Sequence, residues 1–237
     1  MSIKPENIHV ERQEGGTYQL SWEFTAPAEI SVYAGTTPDA IDTNSALLKT
    51  TDTQASIDNL PATQRHYFQL QSPNGESWIA GERRLSLPNI QNFRDIGGYR
   101  TKDGRQLRWG RLYRSGHLAD LTEDEHAYLQ SLGLSLIVDF RMSDERKDSP
   151  TRLKDIIEPN IHLMDVWPGS ATGFQAKISE GGMTLELVAD FMQSINRDLV
   201  TEHTHRYAEL FDLLLEHNEK PALVHCTAGK ACSILTC

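Results

Sequence analysis

The sequence predicts an α/β domain with a parallel sheet, preceded by a small all-β sandwich. Short β-rich runs separated by turn-rich pieces fill the chain from Thr17 to Leu87. After Pro88, helical patterns alternate with short, strongly apolar runs, the order typical of a parallel sheet. A length of 237 residues suffices for one large or two small domains. We therefore assign residues 1–87 to the sandwich and residues 88–237 to the α/β domain.

The β-rich runs of the first region have the spacing of a small antiparallel sandwich. They read TYQLSWEF, EISVYAG, ASIDNL, HYFQLQS and SWIAGERRLSL. Pro61 at a bend between apolar positions, with Trp22 upstream, resembles a fibronectin type III domain. That resemblance implies a surface for a protein partner, although a spacer or a packing partner for the next domain fits the sequence equally well.

The α/β pattern begins with a helix that has clear start and stop signals. Thr122 and Glu125 form a predicted capping box, and Gly133 ends the helix. The run LSLIVDF that follows predicts a buried parallel strand. Further helices are predicted in TLELVADFMQSI, from Thr184, and in HRYAELFDLLLEHNEK, before a strand in ALVHC.

Two of these strands end in residues capable of chemistry. LIVDFR delivers Asp139 and Arg141, and ALVHC delivers His225 and Cys226. Because ligands of open parallel sheets bind beyond the carboxyl ends of the strands, we expect a functional site at this edge.

Composition excludes several classes of function. The net charge of −10 argues against a protein that binds a nucleic-acid backbone. No apolar run reaches the roughly 18 residues of a membrane span, and no signal peptide precedes the first strand, so we expect a cytoplasmic protein without a transmembrane segment. The spacing of Cys226, Cys232 and Cys237 does not match a zinc site, so no metal or other cofactor is expected.

The segment VHCTAGK carries the sharpest signal. A cysteine directly after a buried strand is followed by small residues whose backbone amides are able to surround an anion: Thr227, Ala228, Gly229 and Lys230. Inward amides also favour the thiolate, which is the attacking form. We expect phosphoryl transfer to Cys226, with the positive charge of Lys230 near the phosphate.

Residues 225–230 resemble the signature loop of the cysteine-dependent tyrosine phosphatases, in the bacterial and fungal branch whose loop reads HCxAGKDRTG. NFRDIGG at 92–98, GRLYRSG at 110–116 and VDFRMSDER at 138–146 match the same branch. The resemblance implies hydrolysis of phosphotyrosine, with dual specificity or phosphoinositide substrates as further options, through a phosphocysteine intermediate and without metal.

The resemblance also implies roles for single residues. Cys226 matches the nucleophile, and Asp165 is the candidate general acid. The supporting positions are His225, whose hydrogen bonds would favour the thiolate, and Arg94, Asp95, Arg114 and Arg141.

The sequence departs from the family after Lys230. Cys232 stands where the family has an arginine that clamps the phosphate, and Ala231 replaces an aspartate. A catalytically dead pseudophosphatase that binds a phosphorylated ligand is therefore the alternative function. The α/β domain is expected to be incomplete at its C-terminus, and a change of reading frame after Lys230 is one hypothesis for the departure.

A basic stretch between Arg100 and Arg114 has two interpretations. It predicts either a solvated hairpin that turns at Asp103-Gly104 or a patch that steers a phosphorylated substrate.

Overall fold

The computed structural model describes residues 5–24, 27–61, 63–153, 160–167, 184–217 and 220–230. The chain forms two compact units. The first consists of Met1–Pro88, Phe93–Tyr113 and Thr122–Gly133, and the second of Asn89–Asn92, Arg114–Leu121 and Leu134–Cys237.

Two antiparallel sheets make up most of the first unit. One has the order β1-β2-β5, from β1 (Pro5–Arg12), β2 (Tyr18–Phe24) and β5 (Gln54–Ile57). The other has the order β4-β3-β6-β7, from β3 (Ile30–Gly35), β4 (Leu48–Thr50), β6 (Tyr67–Gln71) and β7 (Ser77–Gly81). Both sheets contribute to one apolar core, to which Trp22, Ile30 and Phe68 belong. The β-rich runs are confirmed as strands, whereas β1 and β4 lie outside the predicted runs.

The first unit extends past residue 87. Arg65 Nη1 lies 2.7 Å from Asp95 Oδ2, with both side chains buried. Arg65 also donates to the Tyr113 hydroxyl at 2.9 Å, and Trp109 Nε1 donates to the Ile79 carbonyl at 3.1 Å. Strand β8 (Arg94–Asp95) and the first half of β9 (Leu112–Ser115) therefore pack with the β-rich region. At 87/88 the sequence changes from β-rich runs to alternating helices and strands. The compact units follow a different division, because Phe93–Tyr113 and Thr122–Gly133 belong to the first unit.

The local turn and capping signals are confirmed. Thr101 donates its N–H to the Arg105 carbonyl at 2.8 Å, and Gly104 has φ +83°, as a hairpin turn at 103–104 requires. Helix α1 (Glu123–Ser131) has Thr122 as its N-cap with both bonds of the capping box.

The second unit contains the parallel sheet. Strand β10 (Leu136–Asp139) pairs in parallel with β11 (Asn160–Leu163) on one side and β12 (Ala222–His225) on the other. The helices are α2 (Ser143–Asp148), α3 (Leu185–Thr201), which Thr184 caps, and α4 (Thr204–Glu216). Every residue of β10 and β12 is buried, which explains their unbroken apolar sequences. No helix in the described part of the chain combines the length and apolar character needed to cross a membrane.

Candidate active site

Cys226 follows directly after β12, at the carboxyl edge of the parallel sheet. The residue is 8% exposed, and its backbone N–H donates to the Ser115 carbonyl at 3.4 Å. We call residues 226–230 the cysteine loop. It begins at the sheet edge that the strand pattern predicts.

Donors from two other segments hold the carbonyl oxygens of the cysteine loop. The contacts are His117 N–H to Thr227 O at 3.1 Å, Asn92 Nδ2 to Ala228 O at 2.8 Å, Arg114 Nη2 to Gly229 O, and Arg114 Nη2 to Lys230 O at 3.1 Å. Four consecutive carbonyls are thus fixed toward neighbouring protein.

This arrangement determines the direction of the amides. In a trans peptide the C=O of one residue and the N–H of the next point in opposite directions, and the described chain has no cis peptide bond. The N–H groups of Ala228, Gly229 and Lys230 therefore point away from the donors that hold the preceding carbonyls. Successive N–H groups in such a loop form the kind of concavity that binds anions.

Gly229 allows the loop to lie against the Ser115–Gly116 peptide. Its φ is +63°, and a Cβ built there would lie 2.5 Å from Ser115 C and 2.6 Å from Gly116 N. Both are backbone atoms, so no side-chain rotation relieves the overlap. Only glycine fits this position with the loop in its present place.

Asp139 and Arg141 form a buried ion pair beside the cysteine loop's strand. Arg141 Nη2 lies 2.7 Å from Asp139 Oδ2, and its Nε donates to Asp139 Oδ1 at 3.0 Å. The guanidinium also donates to the Ser149 carbonyl at 2.6 Å and to the Thr151 hydroxyl at 2.8 Å. Arg141 is 2% exposed, so it braces the segment after β10 rather than facing solvent.

His225 is fully buried and electrically neutral near pH 7. Burial lowers its pKa to about 4, and Arg141 acts in the same direction, while Asp139 and a backbone contact with Cys226 oppose the shift. Its Nε2 lies 3.6 Å from Asp139 Oδ2, and both ring nitrogens lack a hydrogen-bond partner of ordinary geometry among the described residues. His225 therefore offers a thiolate at Cys226 no positive imidazolium charge.

Two further polar contacts lie at this edge of the sheet. The Thr227 hydroxyl donates to Glu145 of α2. Asp165, which follows β11, forms an ion pair with Arg146 Nη2 at 2.6 Å and remains 38% exposed. The structure thus places Asp165 at the carboxyl end of β11, where β10 is the neighbouring strand.

Two of the supporting residues belong to the first unit. The Asp95 carboxylate is 0% exposed and accepts from the N–H groups of Gly97 and Gly110 at 2.7 and 2.8 Å, in addition to the Arg65 ion pair. Arg94 lies beside it in β8 and is half-buried. Arg114, in contrast, contacts the cysteine loop directly.

Two predictions concern the residues after Lys230 and the binding of metal. Ala231 and Cys232, on which the pseudophosphatase alternative rests, lie beyond residue 230 and are not described. Within the described ranges, no group of three or more His, Cys, Asp or Glu side chains is placed to hold a metal ion.

Part of the structure around the loop has no counterpart in the sequence patterns. No pattern points to Ser115 and His117, whose backbone groups contact Cys226 and Thr227. Backbone contacts leave no side-chain signal. The nearest available sign was the small pair Ser115-Gly116 within GRLYRSG, where an added Cβ on Gly116 would lie 3.1 Å from the Thr227 carbonyl oxygen.

Comparison with known proteins identifies relatives of this chain. A model of the tyrosine phosphatase family matches residues 85–231. A protein of Cupriavidus necator named as a tyrosine-protein phosphatase is 30% identical over 175 residues, which are 70% of this chain and 59% of that protein. The triple specificity protein phosphatase PtpB of Mycobacterium tuberculosis is 31% identical over 166 residues, 61% of this chain and 58% of its own. The chain spans about three fifths of the length of these curated relatives.

Proposed function

The chain belongs to the tyrosine phosphatase family, and on that premise we propose that it hydrolyses phosphate monoesters on protein tyrosine, with Cys226 as the nucleophile. The observation that carries the proposal is the cysteine loop: Cys226 is followed by peptides whose carbonyls are held from outside, at Thr227, Ala228 and Gly229. Amides turned to the other side are suited to the equatorial oxygens of a phosphoryl group.

The proposed reaction has two steps. The Cys226 thiolate attacks phosphorus, so that an S–P bond forms while the ester P–O bond breaks, and the leaving oxygen takes a proton from a general acid. Water then attacks phosphorus and gives a proton to the carboxylate left by the general acid, the S–P bond breaks, and inorganic phosphate and the thiolate are released. The N–H groups of Ala228, Gly229 and Lys230, with the Lys230 ammonium, stabilise the negative charge in both transition states.

We propose Asp165 as the general acid. Its support is its position at the carboxyl end of β11, on the edge of the sheet that also carries Cys226. Its carboxylate forms an ion pair with Arg146 Nη2 at 2.6 Å and is partly exposed. Replacement by asparagine is expected to lower kcat by about 10²–10⁴-fold.

His225, Arg114 and Arg141 act as positioning residues in this proposal. Arg114 holds the last two carbonyls of the cysteine loop, and Arg141 with Asp139 secures the strand beside it. Arg94 and Asp95 are the remaining supporting residues, and Asp95 fixes the turns at Gly97 and Gly110 within the first unit.

The substrate range is proposed on the same basis. The name of the mycobacterial relative describes three specificities, and we propose that phosphoserine, phosphothreonine and phosphoinositides are further substrates. A cytoplasmic location and a protein partner for a fibronectin type III-like sandwich are the accompanying proposals. The two antiparallel sheets around a shared core support the second of these.

A second candidate function is binding without turnover. Cys232, six residues after Cys226, cannot supply the fork of donors that an arginine offers to a phosphoryl group. Loss of preorganised donors commonly lowers kcat by about 10²–10³-fold per donor. A pseudophosphatase would retain the affinity of the cysteine loop for a phosphopeptide.

Turnover of an aryl phosphate tests these alternatives. We expect hydrolysis by the full chain in the presence of a chelator and its loss in Cys226→Ser, with phosphopeptide affinity retained in the variant. Turnover that survives this substitution, or that requires added metal, would overturn the mechanism. Phosphopeptide binding without turnover would establish the second function. Absence of both binding and turnover would reject both proposed functions.

A further inference from the structure

A polar cavity of about 270 Å³ lies within the first unit and has no part in the proposed reaction. Its walls come from the start of β1, from β7 and from the 98–109 region. The volume is close to the lower limit of about 300 Å³ for small-molecule sites, which suits a compact ligand.

One wall presents a guanidinium in a fixed orientation. Arg83 stacks on the rings of Tyr99 and Trp109, with its Cζ 4.0 and 5.0 Å from their centroids. Its Nη1 donates to the Asp95 carbonyl at 3.3 Å. Contact with two rings restrains the guanidinium, and its N–H groups other than the one bound to the Asp95 carbonyl are able to donate to a phosphate.

A second cation lines the same cavity. Arg100 is exposed, and the described residues provide no hydrogen bond or ion pair for its side chain. With Arg83 it provides two positive charges, against the single carboxylate of Glu6. The balance favours an anionic ligand.

Other polar groups of the cavity offer hydrogen-bond acceptors. Asn7 Nδ2 donates to Glu23 at 2.7 Å, and Gln106 Nε2 donates to the Gly98 carbonyl at 2.7 Å. Each amide therefore turns its oxygen to other partners, and the carboxylate of Glu6 is also an acceptor. Acceptors of this kind pair with hydroxyl groups.

We propose that this cavity binds the phosphate monoester of a polyhydroxylated ring, a sugar or inositol phosphate. Arg83 and Arg100 hold the phosphate, and Glu6, Asn7 and Gln106 accept hydrogen bonds from the ring hydroxyls. The ligand is either a free metabolite or the headgroup of a lipid. The cavity shares no residue with the cysteine loop, so the inference does not depend on the proposed reaction.

Titration calorimetry on the full chain tests the site, with glucose 6-phosphate as the probe. We expect saturable binding that weakens about tenfold or more in Arg100→Gln, since a hydrogen bond to a charged group is lost. Arg105→Gln is the matched control. It removes the same charge from the same hairpin, but Arg105 pairs with Asp103 and lies outside the cavity, so its affinity should equal that of the wild type. Arg83→Gln should weaken binding as well, with a melting curve to verify folding.

The comparison probes distinguish the ligand classes. The binding that is lost in Arg100→Gln should be weaker for glucose and phenyl phosphate than for glucose 6-phosphate, and equal Arg100-dependent affinity for either would overturn the proposed chemistry. Vesicles with phosphatidylinositol 4-phosphate, compared with phosphatidylcholine alone, test the lipid source. Binding to these vesicles that depends on Arg100 supports the site with a lipid headgroup as its ligand.

Equal affinity of Arg100→Gln and the wild type for every probe, or binding of none, would overturn the inference. Failure of the cysteine loop has a different signature. Gly229→Ala should lower phosphatase turnover about 10²-fold and leave the affinity of the cavity unchanged.

Discussion

Replacement of Gly229 by alanine tests whether the position of the cysteine loop controls activity. The added methyl group would lie 2.5 Å from Ser115 C, 2.6 Å from Gly116 N and 2.8 Å from Ser115 O. All three are main-chain atoms of the segment whose carbonyl accepts from Cys226. The loop must therefore move away from this segment as a unit.

The size of the movement follows from these distances. Ordinary contacts of a Cβ begin at 3.4 Å, so the nearest pair must separate by about 0.9 Å. A misplacement of about 1 Å in a catalytic site commonly lowers the rate about 10²-fold. The left-handed φ of +63° adds roughly 1–2 kcal/mol of backbone strain for alanine.

Gly133→Ala is a matched control for this strain. Gly133 has φ +62°, and a Cβ there would meet nothing within 4 Å. It follows helix α1 in the first unit, and the proposed reaction gives it no role. The control should lose stability by a similar roughly 1–2 kcal/mol and keep its activity.

The assay has two readouts. Hydrolysis of p-nitrophenyl phosphate gives kcat, and calorimetry with inorganic phosphate reports on the loop when turnover is low. We expect Gly229→Ala to lose about 10²-fold in kcat or, for a protein without turnover, to lose phosphate affinity. If Gly229→Ala matches Gly133→Ala in both readouts, contact with the Ser115–Gly116 peptide does not shape the site, and the reasoning fails.

Two predictions concern the buried charges of the first unit. Asp95→Asn should destabilise the protein by about 3–5 kcal/mol in denaturant titration, because the Arg65 charge is left buried without its counter-ion. A double variant with Arg65→Met should recover part of this loss. A loss below about 1 kcal/mol for Asp95→Asn, the usual range of an exposed pair, would contradict the buried ion pair. Burial raises the pKa of Glu82 from 4.5 to about 7, while Arg65 and Arg12 oppose the shift. Between pH 4.5 and about 7 the folded chain keeps a proton on Glu82 that the unfolded chain releases. The free energy of unfolding therefore falls as pH rises through this range, by about 3 kcal/mol relative to the Glu82→Gln variant. Parallel stability curves for the two proteins across this range would contradict the shift.

Local patterns in the sequence were sufficient for several elements. Thr122 and Glu125 are three residues apart and make both capping bonds themselves, so no distant residue is needed to predict the start of α1. Strands β10 and β12 are buried on both faces, and their apolar runs report that environment directly. The hairpin turn at Gly104 depends on one glycine at positive φ.

Contacts between distant residues carried no such signal. Arg65 and Asp95 stand in regions with different patterns, and neither region indicates that the other supplies its counter-ion. Strand β1 was missed because PENIHVER shows little alternation, and its pairing with β2 is irregular between Glu6 and His9. The contact of the Thr227 hydroxyl with Glu145 likewise depends on how the parallel sheet brings α2 to the cysteine loop.

The ion pair between Arg65 and Asp95 has a consequence for how this chain was inherited. Asp95 belongs to the segment that the family model matches, and Arg65 precedes that segment. A recombination event that transferred residues 88–237 alone would carry a fully buried carboxylate into a new host without its guanidinium. The two regions are therefore expected to have travelled together as a single genetic module, with substitutions at position 65 coupled to those at position 95.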